Sequence, residues 1–339
     1  MPGSLPKALR AIIAIFILLV VIQSLLILTD GPTVAYLPRH QGVQADVDAV
    51  DWSRFAYTQY VTNTAYLCNS VMLFETLHRL NSKPDRVMMY PLEFSLDEND
   101  AEPVGRLLRK ARDEYNVQLV PIQVQSRISG DATWAESFTK LLAFNQTQYD
   151  RVLNLDSDST ILQNLDELFF MPPCPAGLPR AYWLNPDERV QSTGLLLIQP
   201  SRFEFRRIMA AINNASGSEY DMEIVNTLYK DSALIIPHRP YMILTGEFRG
   251  EIHTKYLGNN QEVWNPDEVL REAKFLHFSD WPVPKPWIKA SQEVIDQERP
   301  RCRFNATSGR KDDCRDRDYW LGFYADFSRR RADVCGGDI

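Results

Sequence analysis

The strongest constraint on the fold is a regular alternation of short apolar runs and amphipathic segments. Strand-like runs, rich in β-branched and aromatic residues, occur at Phe55–Val61, Arg86–Pro91, Val117–Gln123, Arg151–Leu155, Thr193–Gln199 and Ala233–Pro237. Helical periodicity separates them at Thr64–Leu80, Glu102–Tyr115, Thr133–Phe144 and Ser201–Asn213, where Ser201 is the expected N-cap. The sequence therefore predicts an α/β domain with a Rossmann-like, mostly parallel sheet and helices on both faces.

A long apolar run near the N-terminus predicts a membrane anchor. Lys7 and Arg10 precede Ala11–Leu28, which at about 1.5 Å per residue spans roughly 27 Å of helix, close to a bilayer core of about 30 Å. The basic flank places the N-terminus in the cytoplasm. A cleaved signal peptide is the alternative, but its apolar region is usually about 7–15 residues, and Thr29–Pro32 is a poor cleavage site. We therefore predict a cytoplasmic tail (1–10), a transmembrane helix (11–28), a stem (29–51) and a luminal or extracellular body.

The cysteines and glycosylation motifs agree with a luminal body. Asn145, Asn214 and Asn305 each begin an N-x-S/T acceptor motif. The five cysteines include no C-x-x-C pair, and an oxidising lumen favours disulfides. A disulfide between Cys302 and Cys314 is predicted in the C-terminal segment. Cys68 lies in an apolar helical pattern and is the predicted buried free thiol.

The charge of the chain argues against a nucleic-acid partner. The formal net charge is −7, whereas phosphate binding needs a clustered basic surface. The dense basic cluster Arg329–Arg331 lies beside Asp326 and Asp333, within a late helix predicted at Arg317–Arg331. This cluster is interpreted as a solvated helix face.

The motif with the clearest chemistry is a pair of aspartates after an apolar strand. Asp156 and Asp158 follow the run Val152–Leu155, and residues two apart on a strand point to the same side. Ligands of open α/β sheets bind at the carboxyl ends of the strands. Paired carboxylates there offer oxygen ligands to Mg²⁺ or Mn²⁺, although a lone D-x-D is a weak signal.

Six ordered blocks resemble glycosyltransferase family 8, the glycogenin-like enzymes of the GT-A fold. Asp156–Asp158 is followed by Asn164–Phe169, which is similar to the family's N-[IL]-D-[DE]-L-F segment. The other similar blocks are Val61–Tyr66, Phe138–Leu141, Thr193–Ser201, Tyr220–Thr227 and His277–Trp287. The resemblance implies a catalytic domain at 52–290 and a cysteine-containing C-terminal extension at 291–339. The last block and the tail are most similar to fungal type II membrane N-acetylglucosaminyltransferases.

The resemblance also implies the roles of individual residues. Asp156, Asp158 and His277 would bind Mn²⁺ (or Mg²⁺), and Lys285 would neutralise the diphosphate of a UDP-sugar. The remaining donor-site residues implied are Thr62, Asn63 and Tyr66 for the base and ribose, and Lys140 and Ser157 near the sugar, with Tyr60 a weaker candidate.

One departure from the family pattern concerns catalysis. Met222 stands where the family commonly has glutamine, which leaves Asp221 as the predicted catalytic residue. The implied reaction is retaining transfer of a sugar, GlcNAc or glucose, to a glycan or glycoprotein acceptor by a single-pass type II protein of the Golgi membrane.

Two other functions fit parts of the sequence. Leu155–Thr160 also matches the nucleophile motif of haloacid-dehalogenase-type phosphatases, but that motif usually ends the first strand, and three strand-like runs precede it here. A non-catalytic glycan- or nucleotide-sugar-binding scaffold is favoured by Met222 and disfavoured by the complete set of predicted metal and diphosphate ligands. Trp281 and Trp287 fit either core closure or a sugar platform.

Overall fold

The computed structural model describes residues 50–97, 102–126, 135–305 and 308–336. The predicted cytoplasmic tail, the transmembrane helix and all but the last two residues of the stem lie outside these ranges. Within them, no helix combines the length and the apolar character needed to cross a bilayer. The membrane anchor and its orientation therefore remain predictions.

Helices and strands alternate along residues 52–336, which form one compact unit. The strands are β1 (Phe55–Tyr60), β2 (Asp85–Pro91), β3 (Val117–Ile122), β4 (Arg151–Leu155), β5 (Ser159–Ile161), β6 (Ala176–Pro179), β7 (Leu195–Ile198), β8 (Leu234–Ile236), β9 (Ile243–Leu244), β10 (Phe275–His277), β11 (Arg303–Asn305) and β12 (Arg310–Asp313). The α-helices are α1 (Thr64–Arg79), α2 (Pro103–Tyr115), α3 (Arg202–Asn214), α4 (Asp221–Tyr229), α5 (His238–Tyr241), α6 (Thr254–Leu257), α7 (Pro266–Glu272), α8 (Gln292–Glu298) and α9 (Arg315–Cys335).

The central sheet has seven strands in the order β3-β2-β1-β4-β7-β6-β8. The first four of these strands are parallel, while β7 runs antiparallel to both β4 and β6. The predicted α/β fold with a mostly parallel sheet is confirmed. The sequence did not predict the reversed strand β7, because the apolar pattern of a buried strand is the same in either direction.

Both faces of the sheet are covered. Tyr57 and Leu153 on one face join a buried cluster with residues of α1, α2 and α9. Ala56 and Val152 on the other face pack with α3, α4 and a 3₁₀ segment at Ser137–Asn145. This layering follows from the alternation of side chains along each strand.

The predicted helices are largely confirmed, with one difference. Ser201 caps α3, because its side chain accepts a hydrogen bond from the Glu204 backbone N–H at 3.1 Å. The helix predicted at Thr133–Phe144 is instead the 3₁₀ segment Ser137–Asn145, whose residues from Ser137 to Leu141 are all buried. A segment buried on every side is shaped by its neighbours, so its helical period is a poor guide to the type of helix.

The cysteines pair differently from the prediction at one site. The disulfide Cys302–Cys314 is confirmed. The prediction of a free Cys68 is wrong, because α9 lies along α1 and brings Cys335 to it across 267 residues. The buried Cys174 is the free cysteine of the described residues.

Removing the long-range disulfide is expected to destabilise the protein more than removing the short-range one. Serine at both Cys68 and Cys335 should lower the free energy of unfolding by about 5 kcal/mol, because this bridge restricts a long loop of the unfolded chain. Serine at Cys302 and Cys314, which are 12 residues apart, should cost about 3 kcal/mol. Urea denaturation of the oxidised chain measures both. A larger loss for the second pair would contradict this explanation.

Candidate active site

The paired aspartates lie at the carboxyl end of β4, next to the end of β1. Asp156 is the first residue after β4, and its backbone N–H donates to the Gly194 carbonyl at 2.9 Å. The Tyr60 hydroxyl at the end of β1 is 3.4 Å from Asp156 Oδ1. Ligands of open α/β sheets bind at this carboxyl end of the strands, and the sequence predicted a ligand site here.

A second, smaller sheet brings a histidine to the aspartates. Strand β10 pairs antiparallel with β5 so that His277 is opposite Ser159. His277 Nε2 is therefore 3.1 Å from Asp158 Oδ1 and 3.9 Å from Asp156 Oδ2. One ligand atom from each of these three residues lies within 4.8 Å of the other two. Two carboxylates and one imidazole form a donor set that fits Mn²⁺, so the residues present suit the implied cation.

Two lysines form ion pairs with different carboxylates of this site. Lys285 Nζ is 2.6 Å from Asp158 Oδ2 and donates to the Phe278 carbonyl at 2.8 Å. Lys140 Nζ is 2.8 Å from Asp156 Oδ1 and 2.8 Å from Asp221 Oδ2. The structure thus brings the predicted metal ligands, both predicted lysines and the predicted catalytic aspartate into one connected cluster.

Burial and charge set the ionisation of this cluster. Burial raises the pKa of the Asp156 carboxyl, and the ammonium of Lys140 offsets part of that rise. Burial would also raise the pKa of Asp158, but Lys285 and His277 outweigh it and hold that pKa well below its usual range. Three carboxylates and two ammonium groups leave one net negative charge when His277 is neutral. A divalent cation would make the cluster positive, which suits a diphosphate.

Asp221 begins helix α4 and is held by several donors. Besides Lys140, the Thr193 hydroxyl donates to Asp221 Oδ2 at 2.5 Å. The Asp221 backbone N–H donates to Ser137 Oγ at 3.4 Å. Burial opposes ionisation of this carboxyl, but Lys140 and the hydroxyl donors outweigh it and lower its pKa. Asp221 is therefore a buried carboxylate that its partners hold in the ionised form.

The residues predicted to bind the base and ribose of the nucleotide lie around the start of α1. Asn63 caps α1, because its Oδ1 accepts hydrogen bonds from the backbone N–H groups of Ala65 and Tyr66. The rings of Tyr66 and Trp287 lie 5.2 Å apart, edge to face. Thr62 is half-buried beside Asn63, and among the described contacts neither of them touches the carboxylate cluster. Their binding of a nucleotide remains a prediction.

Ser157 and Trp281 differ sharply in exposure. Ser157 lies between the two aspartates and is 3% exposed, so its side chain is packed into the protein. Trp281 is 90% exposed and does not close the core. The other tryptophan of that segment, Trp287, is partly buried against the core.

The sequence reasoning missed two residues that shape this cluster. Thr193 was noted as part of a similar block, but its hydroxyl contact with Asp221 was not expected. Ser137 precedes the Phe138–Leu141 block, and nothing in its local sequence marks it. Their contacts with Asp221 arise because the chain just before β7 and the 3₁₀ segment both lie beside the start of α4.

Three named proteins are similar to this chain in sequence. Glucose N-acetyltransferase 1 of Gibberella zeae is 58% identical over 293 residues, which are 84% of this chain and 63% of that protein. Glucose N-acetyltransferase 1 of Aspergillus fumigatus is 45% identical over 306 residues, which are 86% of this chain and 79% of that protein. UDP-glucuronate:xylan alpha-glucuronosyltransferase 2 of Arabidopsis thaliana is 24% identical over 239 residues, which are 68% of this chain and 35% of that protein.

The match to the Gibberella zeae protein thus spans slightly less than two thirds of that protein's length. No protein-family model matches the sequence.

Proposed function

This chain belongs to the glucose N-acetyltransferase 1 family, and on that premise we propose that it is a metal-dependent glycosyltransferase of the GT-A type. It transfers a sugar from a UDP-sugar to a glycan or glycoprotein acceptor. The observation that carries the proposal is the cluster in which Asp156, Asp158 and His277 lie within reach of one cation while Lys140 and Lys285 flank it. A cation with adjacent ammonium groups is suited to bind and stabilise a diphosphate leaving group.

The names of the relatives guide the choice of donor. The name of the fungal relatives combines the words glucose and N-acetyl. N-acetylglucosamine is the glucose derivative that carries an N-acetyl group. The name of the plant relative specifies a UDP-linked sugar. UDP-N-acetylglucosamine is therefore the first donor that we propose, with UDP-glucose second.

The reaction divides among the residues of the cluster. A cation held by Asp156, Asp158 and His277 would neutralise charge on the diphosphate. Lys285 can exchange its ion pair with Asp158 for one with the diphosphate, because its side chain is 25% exposed and so can be reached by a ligand. Its charge then stabilises the leaving group as the glycosidic bond breaks.

Asp221 acts on the sugar side of the same bond. Retaining transfer develops positive charge at the anomeric carbon, and an ionised carboxylate nearby stabilises that charge. Lys140 forms ion pairs with both Asp221 and Asp156. It thereby fixes the distance between the carboxylate proposed to act on the sugar and one proposed to bind the cation. Met222 has no amide to share this role, so Asp221 carries more of it.

The body of the protein is proposed to lie in the Golgi lumen behind a type II anchor in the lipid bilayer. The apolar run 11–28 and its basic flank support this orientation. The disulfides Cys68–Cys335 and Cys302–Cys314 support it as well, since such bonds persist in oxidising compartments.

A donor screen tests the function. We expect the 339-residue chain in detergent with Mn²⁺ to release UDP from UDP-N-acetylglucosamine at least about tenfold faster than from UDP-galactose, because one hydrogen bond contributes roughly 1.4 kcal/mol. Chelation of the metal should stop the release, and readdition of Mn²⁺ should restore it. Metal-dependent UDP binding without turnover on any donor or acceptor would support the scaffold alternative. Hydrolysis of a simple phosphomonoester without any sugar donor would support the phosphatase alternative.

A further inference from the structure

A buried aspartate lies in the segment that carries two of the cluster residues. Asp280 is three residues after His277 and five before Lys285, and its side chain is 1% exposed. The indole Nε1 of Trp320 donates to its Oδ2 at 2.5 Å, and the Tyr324 hydroxyl donates to the same oxygen at 3.1 Å. Both of these donors belong to α9.

A third donor reaches the other oxygen of this carboxylate. Arg249 donates to Asp280 Oδ1 at 2.5 Å and also pairs with Glu298. A buried carboxylate carries a large desolvation cost unless its oxygens are bonded, and here both oxygens are. Directed bonds of this kind fix the position of a segment more narrowly than apolar packing does.

The same segment touches the cluster and α9 on different sides. The Phe278 backbone N–H donates to the Asp158 carbonyl at 2.9 Å, next to the contacts of His277 and Lys285 with the Asp158 side chain. The Phe278 ring packs against Tyr324 and Phe327 of α9, with ring centroids 5.3 Å and 5.0 Å apart.

Helix α9 is also anchored to α1, which begins directly after Thr62 and Asn63, two of the residues predicted to bind the nucleotide. Cys335 is disulfide-bonded to Cys68, which lies in the second turn of α1. Arg331 donates to the Ala65 carbonyl at 3.2 Å and to Asn69 Oδ1 at 2.5 Å, both in the first turns of α1. The interpretation of Arg329–Arg331 as a solvated helix face is therefore wrong for Arg331, and also for Arg330, which pairs with Glu75 of α1 at 3.0 Å. Helix α9 therefore contacts both the segment that carries His277 and Lys285 and the helix α1.

We propose that α9 is a positioning element of the donor site and that Asp280 is the positioning residue through which it holds His277 and Lys285. The inference rests on the proposed function and extends it to the C-terminal segment, which the sequence placed outside the catalytic domain. A displacement of about 1 Å in such a segment can cost up to about 10²-fold in rate. The bonds of Asp280 to Trp320, Tyr324 and Arg249 prevent that displacement.

Two pairs of variants of the 339-residue chain test this inference. Asp280→Asn is compared with Asp316→Asn, because Asp316 is also buried and also accepts from an indole, that of Trp264 at 2.7 Å. Tyr324→Phe is compared with Tyr319→Phe, whose hydroxyl also donates from α9 to an aspartate, Asp267, at 2.6 Å. Both controls also lie on α9, but they lose bonds to Trp264 and Asp267 and keep the bonds of α9 to Asp280, so they test whether the effect passes through Asp280.

The readouts are Mn²⁺-dependent UDP binding by calorimetry, the rate of UDP release from the donor and the melting temperature. We expect Asp280→Asn to weaken UDP binding and to lower kcat by about 10-fold each, and Tyr324→Phe by about 3-fold. Asp316→Asn and Tyr319→Phe should stay within about twofold of the unmodified chain in both, even where their melting temperatures fall equally.

The outcomes separate this inference from the proposed function. If each variant and its control change UDP binding and rate alike, Asp280 is structural and the positioning role is wrong. If the unmodified chain binds no UDP with Mn²⁺, the proposed function fails and this inference fails with it. If Asp280→Asn does not fold, the decision rests on Tyr324→Phe, which removes a single hydroxyl.

Discussion

Replacing Asp158 with alanine is expected to abolish sugar transfer and metal-dependent UDP binding, with a loss of about 10³-fold or more in kcat. The two oxygens of Asp158 contact His277 and Lys285, so this carboxylate joins the cation side of the cluster to the diphosphate side. Its removal takes one of the three proposed metal ligands and leaves the Lys285 ammonium without its counter-ion. Calorimetric titration of UDP with and without Mn²⁺ measures the binding, and UDP release from the donor measures the rate.

The control for Asp158→Ala is Asp166→Ala. Asp166 accepts hydrogen bonds from the Tyr57 hydroxyl at 2.7 Å and the Lys83 backbone N–H at 3.0 Å, and among the described contacts none joins it to the cluster. We expect Asp166→Ala to lower the melting temperature and to keep UDP affinity. Asp158 lies just past a strand end, so its loss should change the melting temperature less. Normal UDP binding by Asp158→Ala would end the metal hypothesis, and a melting temperature as low as that of Asp166→Ala would indicate a structural role.

The positions of the aspartates could be predicted because they depend on local geometry. An apolar strand followed by residues i and i+2 fixes both carboxylates at one edge of the sheet, and the structure places Asp156 and Asp158 there. His277 could not be placed in this way. It was expected only from the family resemblance, and the pairing of β10 with β5 explains its position.

Long-range pairing accounts for what the sequence did not predict. Cys68 has the pattern of a buried core residue, and nothing near it indicates a partner 267 residues away. Asp280 lies among prolines in an irregular segment, and its three donors come from distant parts of the chain. The N-cap at Ser201 and the short disulfide Cys302–Cys314 are local features, and both were predicted.

Replacing Asp221 with asparagine is expected to lower kcat by about 10²-fold with little change in UDP affinity. The two side chains are nearly isosteric, but asparagine cannot offer a negative charge to the developing positive charge at the anomeric carbon. That charge is present in the transition state and not in the bound donor, so its loss lowers kcat more than it raises KM. Lys140 would keep its ion pair with Asp156, so the metal ligands and Lys285 should remain in position.

Two further variants distinguish a charge effect from a packing effect at this position. Thr193→Val removes the hydroxyl that donates to Asp221 and nearly preserves its volume, so it should lower kcat in the same direction by only about 3-fold to 10-fold. Met222→Gln restores the amide common in the resembling family and should be tolerated. Stopped-flow measurement of sugar transfer and calorimetry of UDP with Mn²⁺ separate rate from affinity. A near-normal kcat for Asp221→Asn, or a defect confined to donor binding, would assign Asp221 a structural or acceptor-side role and leave the diphosphate itself to stabilise the anomeric charge.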